Sequence, residues 1–319
     1  MAMATLGALR AGRLTRRQAI SASLCVLAGL LLHTATASAQ ELEPRTYSPS
    51  PVGTNFIGVS YSHLTGDVMT DPSLPVTNVQ AHINTFALAY VHTFSLAGRG
   101  SSLGLVLPAV SGNLSGNVID APTEIHRGGP GDVRLRFALN LWGNPAMSPR
   151  EFAQRPLSDS LGVSLTISAP TGQYDASRLV NIGTNRWSFK PEIGYSHPWG
   201  NWFLEASAGA WFFTTNHDFN GGRERSQDPI FTAQLYGGYT FRPGMWLAGA
   251  VGYAEGGRTT VNGVDDRNRQ SNARYGITFS APIAPGWSVK VAASNGLVTR
   301  IGGDYKSITV AVQYRWFDR

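Results

Sequence analysis

Six ionisable residues are spaced so that they could act together: Arg134, Arg136, Arg186, Lys190, Glu192 and Glu205. Arg134 and Arg136 alternate with Val133, Leu135 and Phe137. Arg186, Lys190 and Glu192 alternate with Trp187, Phe189, Pro191 and Ile193. On extended chain, successive side chains point to opposite faces, so this spacing collects the charges on one face. An enclosed face rich in Arg and Lys selects anions. The same residues could instead brace a narrow interior as an ion-pair network, because small barrels fill their interior with side chains. Both roles stay open at this point, and they are compatible.

Catalytic chemistry finds little support. The chain has no G-x-S-x-G elbow, no H-E-x-x-H and no phosphate loop. His217 and Asp218 are adjacent, but neighbours on extended chain face opposite ways and no partnered nucleophile is evident. His63, His82, His92, His126 and His197 lack metal-ligand spacing. Asp265-Asp266-Arg267 reads as a solvated loop tip, since a calcium site needs about six or more oxygens. The expectation is therefore no catalytic residue, no metal ligand and no cofactor.

The elements that must position the six charges are strands. Period-2 segments separated by turn signals fall at 53–63, 79–94, 101–112, 130–142, 160–169, 185–196, 201–214, 229–241, 245–255, 272–283, 286–297 and 304–316. Four of them alternate most cleanly: 130–142, 160–169, 185–196 and 304–316. Segment 79–94 does not sort into two faces. Long polar connections at 64–78, 113–129, 170–184, 215–228 and 256–271 alternate with short ones such as Arg242–Gly244 and Ala284–Pro285. Segment 143–159 is an exception, Pro-rich around a possible helical turn. Sorting of loops by length is what a membrane barrel requires, with short periplasmic turns and longer outer loops.

Composition agrees. Only 14% of residues are charged, against about 25% in soluble domains. No stretch reaches the roughly 18 apolar residues of a spanning helix. Aromatics gather near the expected strand ends, including Trp142, Trp187, Trp199, Trp202, Trp211, Trp246, Trp287 and Trp316. Such positions suit an interfacial girdle. At the N-terminus, Arg10, Arg13, Arg16 and Arg17 precede the apolar run Ile20–Leu32 and the small-residue pattern Ala37-Ser38-Ala39. This reads as a cleavable export signal. Its removal takes away the single cysteine, Cys25, and leaves 22 Lys and Arg against 20 Asp and Glu. The high overall pI thus belongs largely to the signal and does not point to nucleic acid.

Several blocks resemble a known family. They are Leu42-Glu43-Pro44-Arg45 with Tyr47-Ser48, Pro51-Val52-Gly53-Thr54-Asn55-Phe56, and Gly183-Thr184-Asn185-Arg186-Trp187-Ser188-Phe189-Lys190-Pro191-Glu192-Ile193-Gly194. Trp211-Phe212-Phe213-Thr214, Gly256-Gly257-Arg258-Thr259-Thr260 and the closing Gln313-Tyr314-Arg315-Trp316 complete the set. The chain is similar to the outer-membrane transporters associated with the meta-pathway of phenol degradation. The resemblance implies a barrel that passes small, often aromatic, compounds.

The combined expectation is an all-β chain: a signal over 1–39, a flexible periplasmic lead-in over 40–52, and a transmembrane antiparallel barrel of about twelve strands over 53–319. It would reside in the outer membrane as a monomer and pass small, aromatic or anionic, solutes passively. Its partners would be outer-membrane lipid, the solute, and the barrel assembly machinery during biogenesis, with no nucleic acid. Two other readings remain: a barrel hydrolase, and a structural or surface-binding barrel with a plugged lumen.

Overall fold

A computed structural model describes residues 42–70, 76–118 and 121–318. The signal segment and its cleavage site lie outside the described residues. The strands are β1 (Thr54–Met69), β2 (Val76–Leu96), β3 (Arg99–Val118), β4 (Ala121–Pro130), β5 (Arg134–Trp142), β6 (Ser160–Ser168), β7 (Ser188–Trp199) and β8 (Trp202–Phe213). They continue as β9 (Asn216–Phe219), β10 (Arg223–Gln227), β11 (Ile230–Arg242), β12 (Met245–Gly256), β13 (Thr259–Val261), β14 (Val264–Asp265), β15 (Gln270–Ala284), β16 (Trp287–Thr299) and β17 (Gly302–Phe317). One helix, α1 (Pro149–Gln154), lies between β5 and β6.

Twelve strands close an antiparallel barrel in the order β1, β2, β3, β5, β6, β7, β8, β11, β12, β15, β16, β17. Closure is by β17 on β1, with Thr54 opposite Phe317 and Met69 opposite Gly302. On the edge away from β2, strand β3 serves two partners: its Ser101–Val106 half pairs with β5, and Ala109–Val118 pairs with β4. The tight turns gather at the end that holds Thr54 and Phe317. Ala97 and Gly98, between β2 and β3, both have left-handed φ (50° and 73°), as a two-residue hairpin turn demands. Outer-membrane barrels ordinarily keep such short turns on the periplasmic side.

Alternation decides the faces. Leu135, Leu165, Ile193, Leu204, Leu235 and Val251 stand exposed on the outside. Ser164, Ser168, Ser207, Gln234, Asn272 and Thr278 are buried inside. Strand β2 explains its own poor sorting. Its outward face is apolar at Phe86, Leu88 and Tyr90 but polar at Gln80, His82 and Asn84, so the strand runs past the lipid band into water. The partner strands follow the same pattern, with His63 opposite Asn84 and Asn113 opposite His82. Inside this projecting part, Val68, Val79, Ala81, Val118 and Tyr305 form a small apolar core.

The expected outer loops are more ordered than their sequence indicates. Much of 64–78 and 113–129 is strand, and 113–129 holds the β3–β4 hairpin. Strands β9, β10, β13 and β14 form a separate four-stranded sheet from the 215–228 and 256–271 connections. The outward faces of the projecting segments carry residues such as Asp67, Asn113 and Ser115 in place of apolar ones, so no lipid-facing period marks them. Two expected strand starts also move. The 130–142 run is broken after Pro130 and resumes at Arg134. The 185–196 run starts at Ser188, because Asn185 adopts a left-handed φ of 52° that ends extended chain. Helix α1 carries a capping box, in which Ser148 and Glu151 satisfy each other's backbone N–H groups.

Candidate functional site

The registers bring five of the six predicted residues, Arg134, Arg136, Lys190, Glu192 and Glu205, to one side of the lumen. Arg136 lies opposite Thr166, which lies opposite Lys190; Ser164 lies opposite Glu192, and Ser196 opposite Glu205. Arg134 sits one pleat further out, opposite Ser168. Arg186 lies beyond the end of β7.

At the inner level, the lead-in runs through the lumen and occupies the acidic residues. Tyr47 donates its hydroxyl to Glu192 Oε1 at 2.8 Å and lies 3.0 Å from the Ser164 hydroxyl. Lys190 pairs with the same Glu192. The Arg136 guanidinium is 5.3 Å from the centre of the Tyr47 ring. Glu205 accepts hydrogen bonds from the Arg45 backbone N–H and the Ser48 hydroxyl, both at 2.6 Å, and from Ser196 at 3.1 Å. Arg45 covers the Phe203 ring at 4.6 Å and donates to Thr240 at 3.1 Å. Burial, with Glu192 adding to it, holds the Tyr47 phenol well above its ordinary pKa, so it remains a donor. Bonds to a carboxylate are the stronger kind. The lead-in is thus seated within the barrel. Its exit is tied down as well, by Val52 N–H to the Met147 carbonyl at 2.9 Å.

At the outer level, Asp132 organises the 169–187 connection. Its carboxylate accepts from Gly172 N–H at 2.9 Å, Thr184 N–H at 3.0 Å and the Thr184 hydroxyl at 2.6 Å. The connection folds back over the barrel mouth and delivers Arg186 inward. The Arg186 guanidinium donates to Gln227, lies 4.3 Å from the Phe213 ring centre, and is only 6% exposed. Burial, then the nearby Arg225, lowers its pKa to about 9, while Asp132 opposes the fall. It remains a cation at neutral pH.

Among the described residues, an inner and an outer cavity lie in the lumen. The inner one, about 550 Å³, is lined by the lead-in, Arg136, Lys190, Glu192 and Tyr236. The outer one, about 210 Å³, is lined by Arg127, Asp132, Arg186, Val180, Ile182 and Phe213. Arg134 and Trp211 line both. Counting the ionisable side chains on each lining, the outer cavity carries Arg127, Arg134 and Arg186 against Asp132. The inner one carries Arg45, Arg134, Arg136 and Lys190 against Glu43 and Glu192. Cations are in excess in both.

Trp211 and Trp246 do not belong to the expected girdle. Each is 7% exposed and faces inward, whereas Trp142, Trp187, Trp199, Trp202 and Trp287 are well exposed. Parity on β8 settles Trp211, because it shares a face with Glu205 and Ser207. Position near a strand end is the weaker signal. Tyr47 and Arg45 had no such marker, although Gly162 and Gly194 on the inward face of β6 and β7 hint at a close approach. His217 is exposed on β9, 3.5 Å from Glu224 and with no link to Asp218. Among the described residues no group of three His, Cys, Asp or Glu is placed to hold a metal.

Residues 62–300 match the family model described as "Putative MetA-pathway of phenol degradation". The chain belongs to this family. No curated protein matches it. Among solved structures it is similar to the COG4313 outer membrane channel from Pseudomonas putida F1, with TM-score 0.72 and 23% identity over 86% of this chain and all of that one. The KdgM porin (TM-score 0.43, 11% identity, 81% of this chain and 98% of that one) and the NanC porin (0.46, 8%, 81% and 98%) are more distant. The likeness to the Pseudomonas protein is one of fold, and this chain's own barrel has twelve strands.

Proposed function

We propose that this family member is a passive outer-membrane channel for small anionic solutes, including acidic aromatics. The observation that carries the reading is the pair of lumen cavities that share Arg134 and Trp211 and both hold an excess of cations. A low-dielectric wall focuses the field of such charges and raises the local concentration of anions. The similar Pseudomonas protein is described as an outer membrane channel, which agrees with this reading. The inner acids support it in another way. Glu192 and Glu205 are occupied by Lys190, Tyr47, Ser48 and Arg45, so they hold the lead-in and oppose cation entry less than their number implies.

A closed barrel satisfies its own edges, so the channel acts as a monomer in lipid, delivered by the export signal and the barrel assembly machinery. The reading is of a channel and not of an enzyme. One observation favours a second reading, a plugged barrel with a structural role: the lead-in fills part of the inner lumen. Single-channel recording of the refolded protein in planar bilayers separates the two. Discrete conductance steps support the channel. A silent barrel that is folded and inserted contradicts it.

A further inference from the structure

Two residues on the lining of the outer cavity, Arg186 and Trp211, each carry a buried donor without a hydrogen-bond partner. Arg186 Nη1 and Trp211 Nε1 have no hydrogen-bond partner, and both atoms are closed off from solvent. Both side chains line this cavity. Arg186 lies over Phe213, and Trp211 is two residues before Phe213 on the same face of β8. Among the described residues no carboxylate lies within ion-pair distance of Arg186. The nearest acid that influences it, Asp132, has both oxygens engaged by Gly172 and Thr184. A buried charge without a counter-ion and a buried N–H without an acceptor are both costly, and native proteins ordinarily satisfy them.

The rest of the lining sets the shape of the missing partner. Ile83, Val110, Val180, Ile182, Phe213 and Ile230 are apolar. The cavity of about 210 Å³ is well below the size of a drug-sized site, and an apolar cavity of about 150 Å³ is known to accept benzene. A doubly charged phosphate would leave this hydrocarbon unmatched. A neutral solute would leave the Arg186 charge uncompensated.

We propose that the outer cavity is a binding site for a small monocarboxylate with an apolar body, its carboxylate lodged against Arg186 and Trp211. The body lies among Val180, Ile182 and Ile230. This deepens the anion reading of the lumen, and rests on it for the route by which the ligand enters. Binding itself does not require conduction. The site would be the first station of a solute arriving from outside, because the 169–187 connection holds it at the barrel mouth.

The test is isothermal titration calorimetry of the refolded barrel in detergent, with detergent-only blanks, using benzoate, benzyl alcohol and inorganic phosphate as probes. Saturable one-to-one binding of benzoate is expected, with benzyl alcohol about tenfold or more weaker, the loss that one charge-assisted hydrogen bond carries. Phosphate should give no saturable heat. Arg186→Gln should weaken benzoate about tenfold or more by the same reasoning. If that variant fails to fold, Trp211→Phe decides, since it removes only an unpartnered N–H and keeps a ring; benzoate should weaken several-fold while benzyl alcohol is unchanged. Absence of saturable benzoate binding, equal binding of benzoate and benzyl alcohol, or an unaltered Trp211→Phe protein would overturn the proposal. A silent barrel in bilayers that still binds benzoate would defeat the channel reading and leave this one standing. An anion-conducting barrel that does not bind benzoate would do the reverse.

Discussion

The ring of Tyr47 fills the space that a Cβ at position 194 would take, so Gly194 is the seat on which the lead-in rests. Gly162 lies against the other edge of the same ring. The missing side chains matter as much as the hydrogen bonds. Leu42 makes similar use of Gly252 and Gly276 across the lumen, with Cβ positions 2.9 and 3.1 Å from its methyl groups.

Gly194→Val should therefore unseat Tyr47 without removing a charge or a hydrogen-bonding group of the wall. Gly194 does not need a left-handed backbone, so the strand can accept valine. The expected outcome is a folded barrel whose Arg45 becomes accessible to trypsin and whose single-channel conductance rises. Unchanged proteolysis and conductance would mean that the ring moves aside and the lead-in stays.

Glu205→Ala should release the same segment from the other side. The substitution removes the acceptor of the Arg45 N–H, Ser48 and Ser196 bonds. Leaving a buried donor unmade costs about 1–3 kcal/mol. The lead-in should loosen before the barrel does. Limited proteolysis would show early cutting at Arg45, with the heat-modifiable gel mobility of the folded barrel preserved. Loss of that mobility would make Glu205 a brace of the wall itself.

Leu165→Arg and Ser60→Arg test the two faces. Leu165 is exposed on the outside of β6, and Ser60 lines the inner cavity from β1. Arginine facing the mid-bilayer costs about 2–4 kcal/mol, and in a wet lumen much less. Folding titrations in lipid vesicles should separate the two by that margin. Equal costs would invert or abolish the assignment of faces.

The barrel was legible where alternation is strict and both faces are constrained. Strands β5, β6, β7 and β17 each set one polar and one apolar face against different solvents, and their registers follow. Legibility failed where that contrast is lost. The outward side of β2 turns polar beyond Tyr90, Leu88 and Phe86 because it leaves the lipid. Strands β9, β10, β13 and β14 never meet it. Parity alone puts Arg134, Arg136, Lys190, Glu192 and Glu205 on the inward face. It does not give the surroundings of Arg186, since they depend on Asp132 gripping Thr184 from 52 residues away. The seat of the lead-in spans a still longer separation, 145 residues between Tyr47 and Glu192, and no local pattern records it.

The most direct test of the account is the reversal potential of the wild-type channel under a salt gradient in planar bilayers, with Arg134→Ser/Arg186→Ser measured beside it. Excess cations on both cavity linings predict a potential displaced toward the chloride equilibrium, and a displacement that shrinks in the double variant. A wild-type potential displaced toward the potassium equilibrium, or one that the double variant leaves unchanged, would contradict an anion-selecting lumen.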